Sequence, residues 1–255
     1  MSRRDYIIHT PGEIERIRIA AHAAGVARDQ IASMVRAGMT TKELDLLAGD
    51  VIRSLGGTPT FLGYHGYPGN ICISVNDEVV HGIGRPDRFI LKGDVVSLDV
   101  GVSLEGGVGD TAKTVYVGDD PPSSAVRNLL EETEHALMAG IHAARHGNHM
   151  QDISRAIEKV AQAAGLGIVR EFVGHGCGIH LHEPPEVPNF ATRDKGVRLL
   201  PGMVLAIEPM LNLGTHRVYI EPDQWTVRTA DGKKSAHFEH MVLITEGQTE
   251  VLTSV

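Results

Sequence analysis

Apolar residues recur at helical spacing in four stretches of the chain. Two of these stretches open with a capping box, in which a threonine and a glutamate three positions later bond each other's backbone amides. The pairs are Thr10 with Glu13 and Thr40 with Glu43. The pattern predicts helices that begin at residues 10 and 40, and two more over about 124–145 and 151–164.

Runs of β-branched and aliphatic residues between these helices predict strands. The most regular run is 91–117, which indicates a β-hairpin with Glu105, Gly106 and Gly107 in or beside its turn. Residues 58–70, rich in glycine, proline and tyrosine, are predicted to form a loop. Further strands are predicted near 71–75, 168–173, 203–208, 217–228 and 236–245.

Two acidic residues lie inside the predicted hairpin. Asp99 and Asp110 are equidistant from a point between Leu104 and Glu105. A hairpin folded about that point would set the two carboxylates directly opposite each other, about 4.5–5.5 Å apart at Cβ, where like charges are destabilising. Three arrangements relieve the repulsion: one carboxyl stays protonated, a multivalent cation lies between them, or both face water.

The two halves of the chain match at a constant offset of 109 residues. KGDVVSLD (92–99) corresponds to PGMVLAIE (201–208), so Asp99 corresponds to Glu208. The repeat predicts an α+β fold with pseudo-twofold symmetry, in which helices cover a shared antiparallel sheet. We expect residues 1–255 to form one domain with equivalent halves over about 10–120 and 121–250.

The second half contains an acidic hairpin of its own. WTVRT (225–229) and AHFEH (236–240) flank Asp231-Gly232, a strong turn signal, and this pairing would place Glu239 roughly opposite Trp225. Four acids in apolar, strand-like surroundings would repel each other strongly without a cation. His175, between the glycines of GHGCG (174–178), completes a set of candidate ligands.

Composition narrows the function further. The 255 residues are 42% hydrophobic and carry a formal charge of −8, which argues against nucleic-acid binding and suits capture of a cationic group. The two cysteines indicate no disulfide framework and favour a reducing compartment. We expect a cytoplasmic protein, because the sequence has no apolar targeting segment and no run of about 20 apolar residues that could span a membrane.

The order and spacing of seven motifs resemble those of the type I methionine aminopeptidases, a family with the pita-bread fold. The likeness covers nearly the whole chain. The sequence has no large insert between His175 and Glu208 of the kind that type II enzymes carry. The motifs are YHGYPGNICISVNDEVVHGIG (64–84), SLDVG (97–101), GDTA (109–112), GHG (174–176), HEPP (182–185), IEPM (207–210) and FEH (238–240).

The resemblance implies a site with two divalent metal ions. An oxygen-rich set of donors suits Mn, Fe or Co, and the sequence does not select among them. Asp110 and Glu239 would bridge the two ions. The implied ligands are Asp99, Asp110, His175, Glu208 and Glu239.

The resemblance also implies removal of the N-terminal methionine from nascent chains with a small second residue, by metal-activated hydroxide. His81 would contact the scissile amide, His182 would stabilise the oxyanion, and Glu208 would shuttle a proton to the leaving amine. Expected partners are peptide N-termini and, transiently, the ribosome, and we expect a monomer. The implied methionine pocket consists of Tyr64, Tyr67, Cys72, Leu181 and Trp225, near His81.

One stretch departs from the family pattern. In GHGCGIHLHEPP (174–185), residues Cys177, Ile179, His180 and Leu181 replace the common ones, and Leu181 falls where an aromatic wall of the pocket is expected. If the segment is extended, His180 and His182 point to one face. The departure leaves a prolidase or proline aminopeptidase as the alternative to methionine specificity. Two other classes stay open: a non-catalytic binding module on the same fold, and an aspartyl dyad that acts without metal.

Overall fold

The computed structural model describes residues 5–255. Both predicted capping boxes form: the carboxylates of Glu13 and Glu43 accept from the backbone amides of Thr10 and Thr40 at 2.8 and 2.7 Å. Within the described range, no helix combines the length and apolar character that crossing a bilayer requires. The helices are α1 (Pro11–Met34), α2 (Thr41–Ser54), α3 (Ser124–Ala143) and α4 (Met150–Ala163).

The strands are short except for the central hairpin, and every pairing among the described strands is antiparallel. They are β1 (Thr58–Pro59), β2 (Cys72–Val75), β3 (Glu78–Val80), β4 (Val95–Leu104), β5 (Gly107–Tyr116), β6 (Gly167–Ile168), β7 (Gly174–Gly176), β8 (Glu183–Val187), β9 (Val204–Ile207), β10 (Met210–Asn212), β11 (Val218–Ile220), β12 (Val227–Thr229), β13 (Ser235–His237), β14 (His240–Leu243) and β15 (Glu250–Val251).

The internal repeat recurs in the backbone at the same offset of 109. Helices α2 and α4 begin and end at equivalent residues, and so do the short strands β1 and β6. The residue before each helix forms an isolated bridge, Thr40 with Phe89 and His149 with Arg198, again at equivalent positions. Each half therefore carries the same helix–strand frame. The domain boundaries given above stay a prediction.

The central hairpin forms, but its acids are not directly opposed. The turn is the pair Glu105-Gly106, both with positive φ (52° and 76°), so the fold point lies one residue further along the chain than predicted. In this register Asp99 faces Ala112, and Asp110 faces Gly101. The predicted opposition of the two carboxylates is therefore wrong. They are diagonal neighbours on one face of the sheet.

The second predicted hairpin does not form, because its two strands pair with other strands. The turn at Asp231-Gly232 exists, with Gly232 at φ 70°, but β12 pairs with β3 and β11, whereas β13 pairs with β10. Trp225 and Glu239 are therefore not cross-strand neighbours. The strand predicted over 217–228 is interrupted between β11 and β12, and the one over 236–245 between β13 and β14. Of the strand predicted over 168–173, only Ile168 lies in a strand, at the end of β6. The loop predicted over 58–70 contains β1 and a 3-10 turn, Tyr64–Gly66.

Helix α1 packs directly against strand β5 because the strand offers glycines where the helix backbone approaches. A Cβ at Gly109 would lie 2.3 Å from the carbonyl oxygen of Ala20, and one at Gly107 would lie 2.5 Å from that of Arg16. Real Cβ atoms do not approach backbone oxygen so closely. The glycines therefore fix the spacing between α1 and the strand that carries Asp110.

We expect Gly109→Ala to destabilise the protein by about 1–3 kcal/mol, because the helix must move away from the strand. Denaturant unfolding of the two proteins measures the difference. Gly12→Ala is the matched control, since a Cβ there meets nothing within 4 Å. Equal losses for both variants would contradict the close packing of α1 on β5.

Candidate metal centre

The seam between the two halves brings three of the candidate acids together. Asp99 lies in β4 and Asp110 in β5. Glu239 lies between β13 and β14, where its amide donates to the carbonyl oxygen of Ala112 at 2.9 Å. The Thr111 hydroxyl donates to the Glu239 carbonyl oxygen at 2.7 Å. Because Ala112 also faces Asp99 across the hairpin, Glu239 reaches the edge of the first half beside both aspartates.

Glu208 occupies the equivalent interruption on the neighbouring strands. It lies between β9 and β10, and the ladders on either side pair Ile207 with His240 and Met210 with His237. Extending this register sets Glu208 opposite Glu239. Pro209 follows Glu208 and has no amide hydrogen to donate, so the ladder opens here. This break gives both glutamate side chains room to turn towards the aspartates.

His175, in β7, completes the cluster. Its Nδ1 lies 2.9 Å from the carbonyl oxygen of Gly176, an acceptor that requires Nδ1 to carry the proton. Nε2 is then the nitrogen with a free lone pair. It lies 3.5 Å from Glu208 Oε1 and 3.8 Å from Asp110 Oδ2. Both flanking glycines are required by close packing, since a Cβ at Gly174 would lie 2.3 Å from the Ala206 carbonyl oxygen.

Without a cation, it is unfavourable for the buried carboxyl groups to be ionised together. Burial, reinforced by the neighbouring carboxylates, raises the pKa of Asp110 and of Glu239 well above the usual range. Burial also raises the pKa of Asp99 to about 7. Asp110 and Glu239 are only 4% and 2% exposed, which excludes the arrangement in which the acids face water.

The donor set fits divalent cations. Asp99 Oδ1, Asp110 Oδ1 and Glu239 Oε1 are buried and have no hydrogen-bond partner among residues 5–255. One donor atom each from Asp110, His175 and Glu239 lie within 4.8 Å of one another. Buried carboxylate oxygens without donors, facing an imidazole lone pair, are the arrangement that a hard divalent ion satisfies.

A cavity of about 200 Å³ opens onto this cluster. It is lined by every site residue predicted from the sequence, with the apolar and aromatic members beside the carboxylates. Their individual roles stay predictions. The predicted residues in its wall are Tyr64, Tyr67, Cys72, His81, Asp99, Asp110, His175, Leu181, His182, Glu208, Trp225 and Glu239.

Two histidines at the cavity are uncharged near neutral pH. Burial lowers the pKa of His81 to about 4, and partial loss of solvent around the His182 ring, together with the neighbouring His175, lowers the pKa of His182 to about 4. The Nδ1 atom of His182 lies 2.8 Å from the Tyr64 hydroxyl, and its ring lies edge-on to His175 at 4.3 Å. His81 packs edge-on against Phe172 at 5.4 Å. Each histidine can therefore act as a neutral hydrogen-bonding group.

Three residues at or beside the site were missed. Phe61 and His65 line the cavity, and buried His237 places Nε2 3.3 Å from Glu208 Oε2. Phe61 and His65 lie in the segment predicted as loop, which carries no periodic signal, and His237 gave no signal beyond its place in a predicted strand. The segment after Cys177 bends instead of extending, so the expectation that His180 shares a face with His182 is wrong; His180 is exposed and outside the cavity.

Comparison with known proteins places this site in a family. The profile of metallopeptidase family M24 matches residues 15–246. The chain belongs to metallopeptidase family M24. It is 44% identical over 250 residues to methionine aminopeptidase 1 of Bacillus subtilis. The aligned region covers 98% of this chain and 99% of that protein.

Solved structures of the M24 family agree on the fold. The crystal structure of methionine aminopeptidase from Thermotoga maritima superposes with a TM-score of 0.94 at 39% identity, over 98% of this chain and 100% of that one. Prolidase from Pyrococcus furiosus superposes with a TM-score of 0.78 at 24% identity, over 98% of this chain and 66% of that one. The predicted α+β pita-bread fold is confirmed, and the similarity to the prolidase extends to the fold alone.

We expect the metal-free protein to lose stability as pH rises from about 4 to 7. Over that range the folded state retains protons on Asp99, Asp110 and Glu239 that the unfolded chain has released, since their pKa values are raised on folding. Melting temperatures measured in chelator between about pH 4 and 7 test this. A saturating divalent metal should remove the decline, because metal binding favours the ionised carboxylates. The same decline with and without metal would contradict the assignment.

Proposed function

We propose that this protein is a methionyl aminopeptidase that removes the first residue from peptides and nascent chains with a small second residue. The observation that carries the proposal is one cavity in which an apolar slot meets a cluster of carboxylates and imidazole. Full-length similarity to methionine aminopeptidases supports the specificity. Similarity to prolidases is limited to the fold, so we set that alternative aside.

We propose that Asp99, Asp110, His175, Glu208 and Glu239 would hold two divalent ions. Such ions, when bound, supply a water molecule of lowered pKa and polarise the substrate carbonyl. The buried oxygens without hydrogen-bond partners support this set of ligands. A binding module without metal would have no need to bury them.

The chain's own residues then act on the substrate. The free α-amine of the peptide would be held at the metal-loaded cluster, which accounts for cleavage at the N-terminus. Neutral His182, whose Nδ1 contacts Tyr64, leaves Nε2 to donate to the scissile carbonyl oxygen, and His81 donates to the amide region. Glu208, contacted by His237, would accept a proton from the attacking water and pass it to the leaving amine. The side chain of residue 1 enters the slot between Tyr67, Cys72, Leu181 and Trp225.

We also propose that the enzyme acts in the cytoplasm as a monomer and meets its substrates as nascent chains, with transient ribosome contact. The buried free thiols of Cys72 and Cys177 support a reducing compartment. The ions that suit the donor set are Mn, Fe and Co.

We expect the protein to cleave Met-Ala-Ser in the presence of a divalent metal and to lose that activity in chelator. Panels of Met-X and X-Ala peptides should reveal a preference for methionine and for small second residues. Turnover that resists chelation would contradict the metal-dependent mechanism. Faster cleavage of Met-Pro and other X-Pro substrates would favour the prolidase alternative.

We expect His182→Ala to lower kcat by about 10²–10³-fold, the usual effect of losing one donor to an oxyanion. Elemental analysis should find the same metal content in the variant, because His182 is not among the proposed ligands. The exposed His22 provides the matched control variant, His22→Ala. Unchanged turnover by the His182 variant would refute the role.

Phe61 and Leu181 are both buried and both line the cavity, so we expect both side chains to shape its apolar slot. Phe61→Leu should narrow the preference for methionine over norleucine by about 2- to 10-fold, because aromatic contacts favour sulfur over methylene. The double exchange of Phe61→Leu with Leu181→Phe keeps one phenylalanine and one leucine in the slot and should restore part of the preference for methionine. Phe89→Leu, at an exposed position, is the control. No change in the preference would show that Phe61 does not contact the substrate side chain.

A further inference from the structure

A buried contact between a carboxylate and an imidazole lies directly behind His182 and takes no part in the proposed chemistry. Glu183, the second residue of the HEPP motif, is 6% exposed, and its Oε2 lies 3.1 Å from Nε2 of His9, which is 5% exposed. Both atoms are buried, and neither has a hydrogen-bond partner in the part of the chain that is described, so each depends on this close contact with the other. His9 is held in turn, because its amide donates to the Gly202 carbonyl oxygen at 2.9 Å.

The second oxygen of the same carboxylate holds the bend before His182. Glu183 Oε1 accepts from the backbone amides of Ile179 at 3.0 Å and His180 at 2.7 Å. The His9 ring also packs against Gly178, where a Cβ would lie 3.0 Å from His9 Nε2. Glu183 is therefore the centre of the contacts that shape residues 178–182. Burial alone would raise the pKa of this carboxyl, but contact with His9 and the two amides lowers it.

Residues from this bend into β8 alternate strictly between buried and exposed. Leu181, Glu183, Pro185 and Val187 are buried, whereas His182, Pro184 and Glu186 are exposed. In an extended segment a shift of one residue exchanges the two faces. Such a shift would bury His182 and bring the Glu183 carboxylate to the cavity, beside the four acids already there.

We infer that the His9–Glu183 pair fixes the strand register of the segment that carries Leu181 and His182, and so decides which of its residues face the cavity. We call this pair the register lock. Glu183 is a positioning residue, since it acts through His182 and does not touch the reacting atoms. The pair ties the beginning of α1 to the wall of the cavity, so the N-terminal segment contributes to the site without lining it. The kinetic consequence of this inference rests on the proposed function, whereas its structural consequence does not.

The decisive kinetic test is a double-mutant cycle in the metal-loaded full chain. We expect His9→Ala to lower kcat for Met-Ala-Ser by about 10- to 100-fold, the scale of a small misplacement of a catalytic group, with metal content unchanged. In the His182→Ala background the same change should have little further effect, because there is no imidazole left to misplace. His9→Gln, which keeps a donor at similar reach, should retain most of the activity, and His22→Ala should retain all of it.

Hydrogen exchange gives a second test that needs no turnover. The amides of Ile179 and His180 should lose protection in His9→Ala and keep it in His9→Gln, while the amides of α4 should not change. Additive effects in the cycle, or unchanged protection at these two amides, would overturn the inference. A wild-type protein that failed to cleave methionyl peptides would remove the proposed function, and the exchange experiment would still decide whether the lock exists.

Discussion

Mutual repulsion among buried carboxylates is the constraint around which this structure is organised. Asp99, Asp110, Glu208 and Glu239 come from strands of both halves and converge on one cavity. In water such groups would separate. Here Asp99 and Asp110 are held in paired strands, and Glu208 and Glu239 are held in short gaps between paired strands. Burial, reinforced by the neighbouring carboxylates, raises the pKa of Asp99, Asp110 and Glu239, as expected for acids that are held together away from water. Only a cation relieves it while leaving the charges available for chemistry.

The duplicated frame explains how one chain builds such a site. Equivalent strands deliver Asp99 and Glu208 at the offset of 109 residues, so these two acids follow from the repeat. The other two do not. Asp110 lies in a continuous strand, whereas Glu239 lies in a gap between two short strands. The asymmetry lets the backbone of Glu239 pair with Ala112, which joins the halves.

The sequence predicted the elements whose signals are local and missed those set by distant partners. The capping boxes at Thr10 and Thr40 formed as expected because every atom involved lies within four residues. The turn at Asp231-Gly232 also formed, yet its flanking strands pair elsewhere, because a turn fixes direction and not the choice of partner. The register of the hairpin was wrong by one residue for a similar reason: Glu105 adopts a positive φ that composition does not reveal.

The site residues were easier to find than the contacts that support them. Ligand-type side chains can be identified by their chemistry and order, and the twelve predicted residues all line the cavity. Phe61, His65 and His237 were missed because a phenylalanine in a loop or a histidine in a strand has many structural uses.

Glu183 was identified only as part of a motif; its importance depends on His9, about 170 residues away in sequence. A buried acid that holds two amides and faces a buried histidine resists a shift of the strand more strongly than packing alone would, because any shift leaves charge and donors without partners. Precise placement of His182 therefore depends on contacts that the cavity wall itself does not contain.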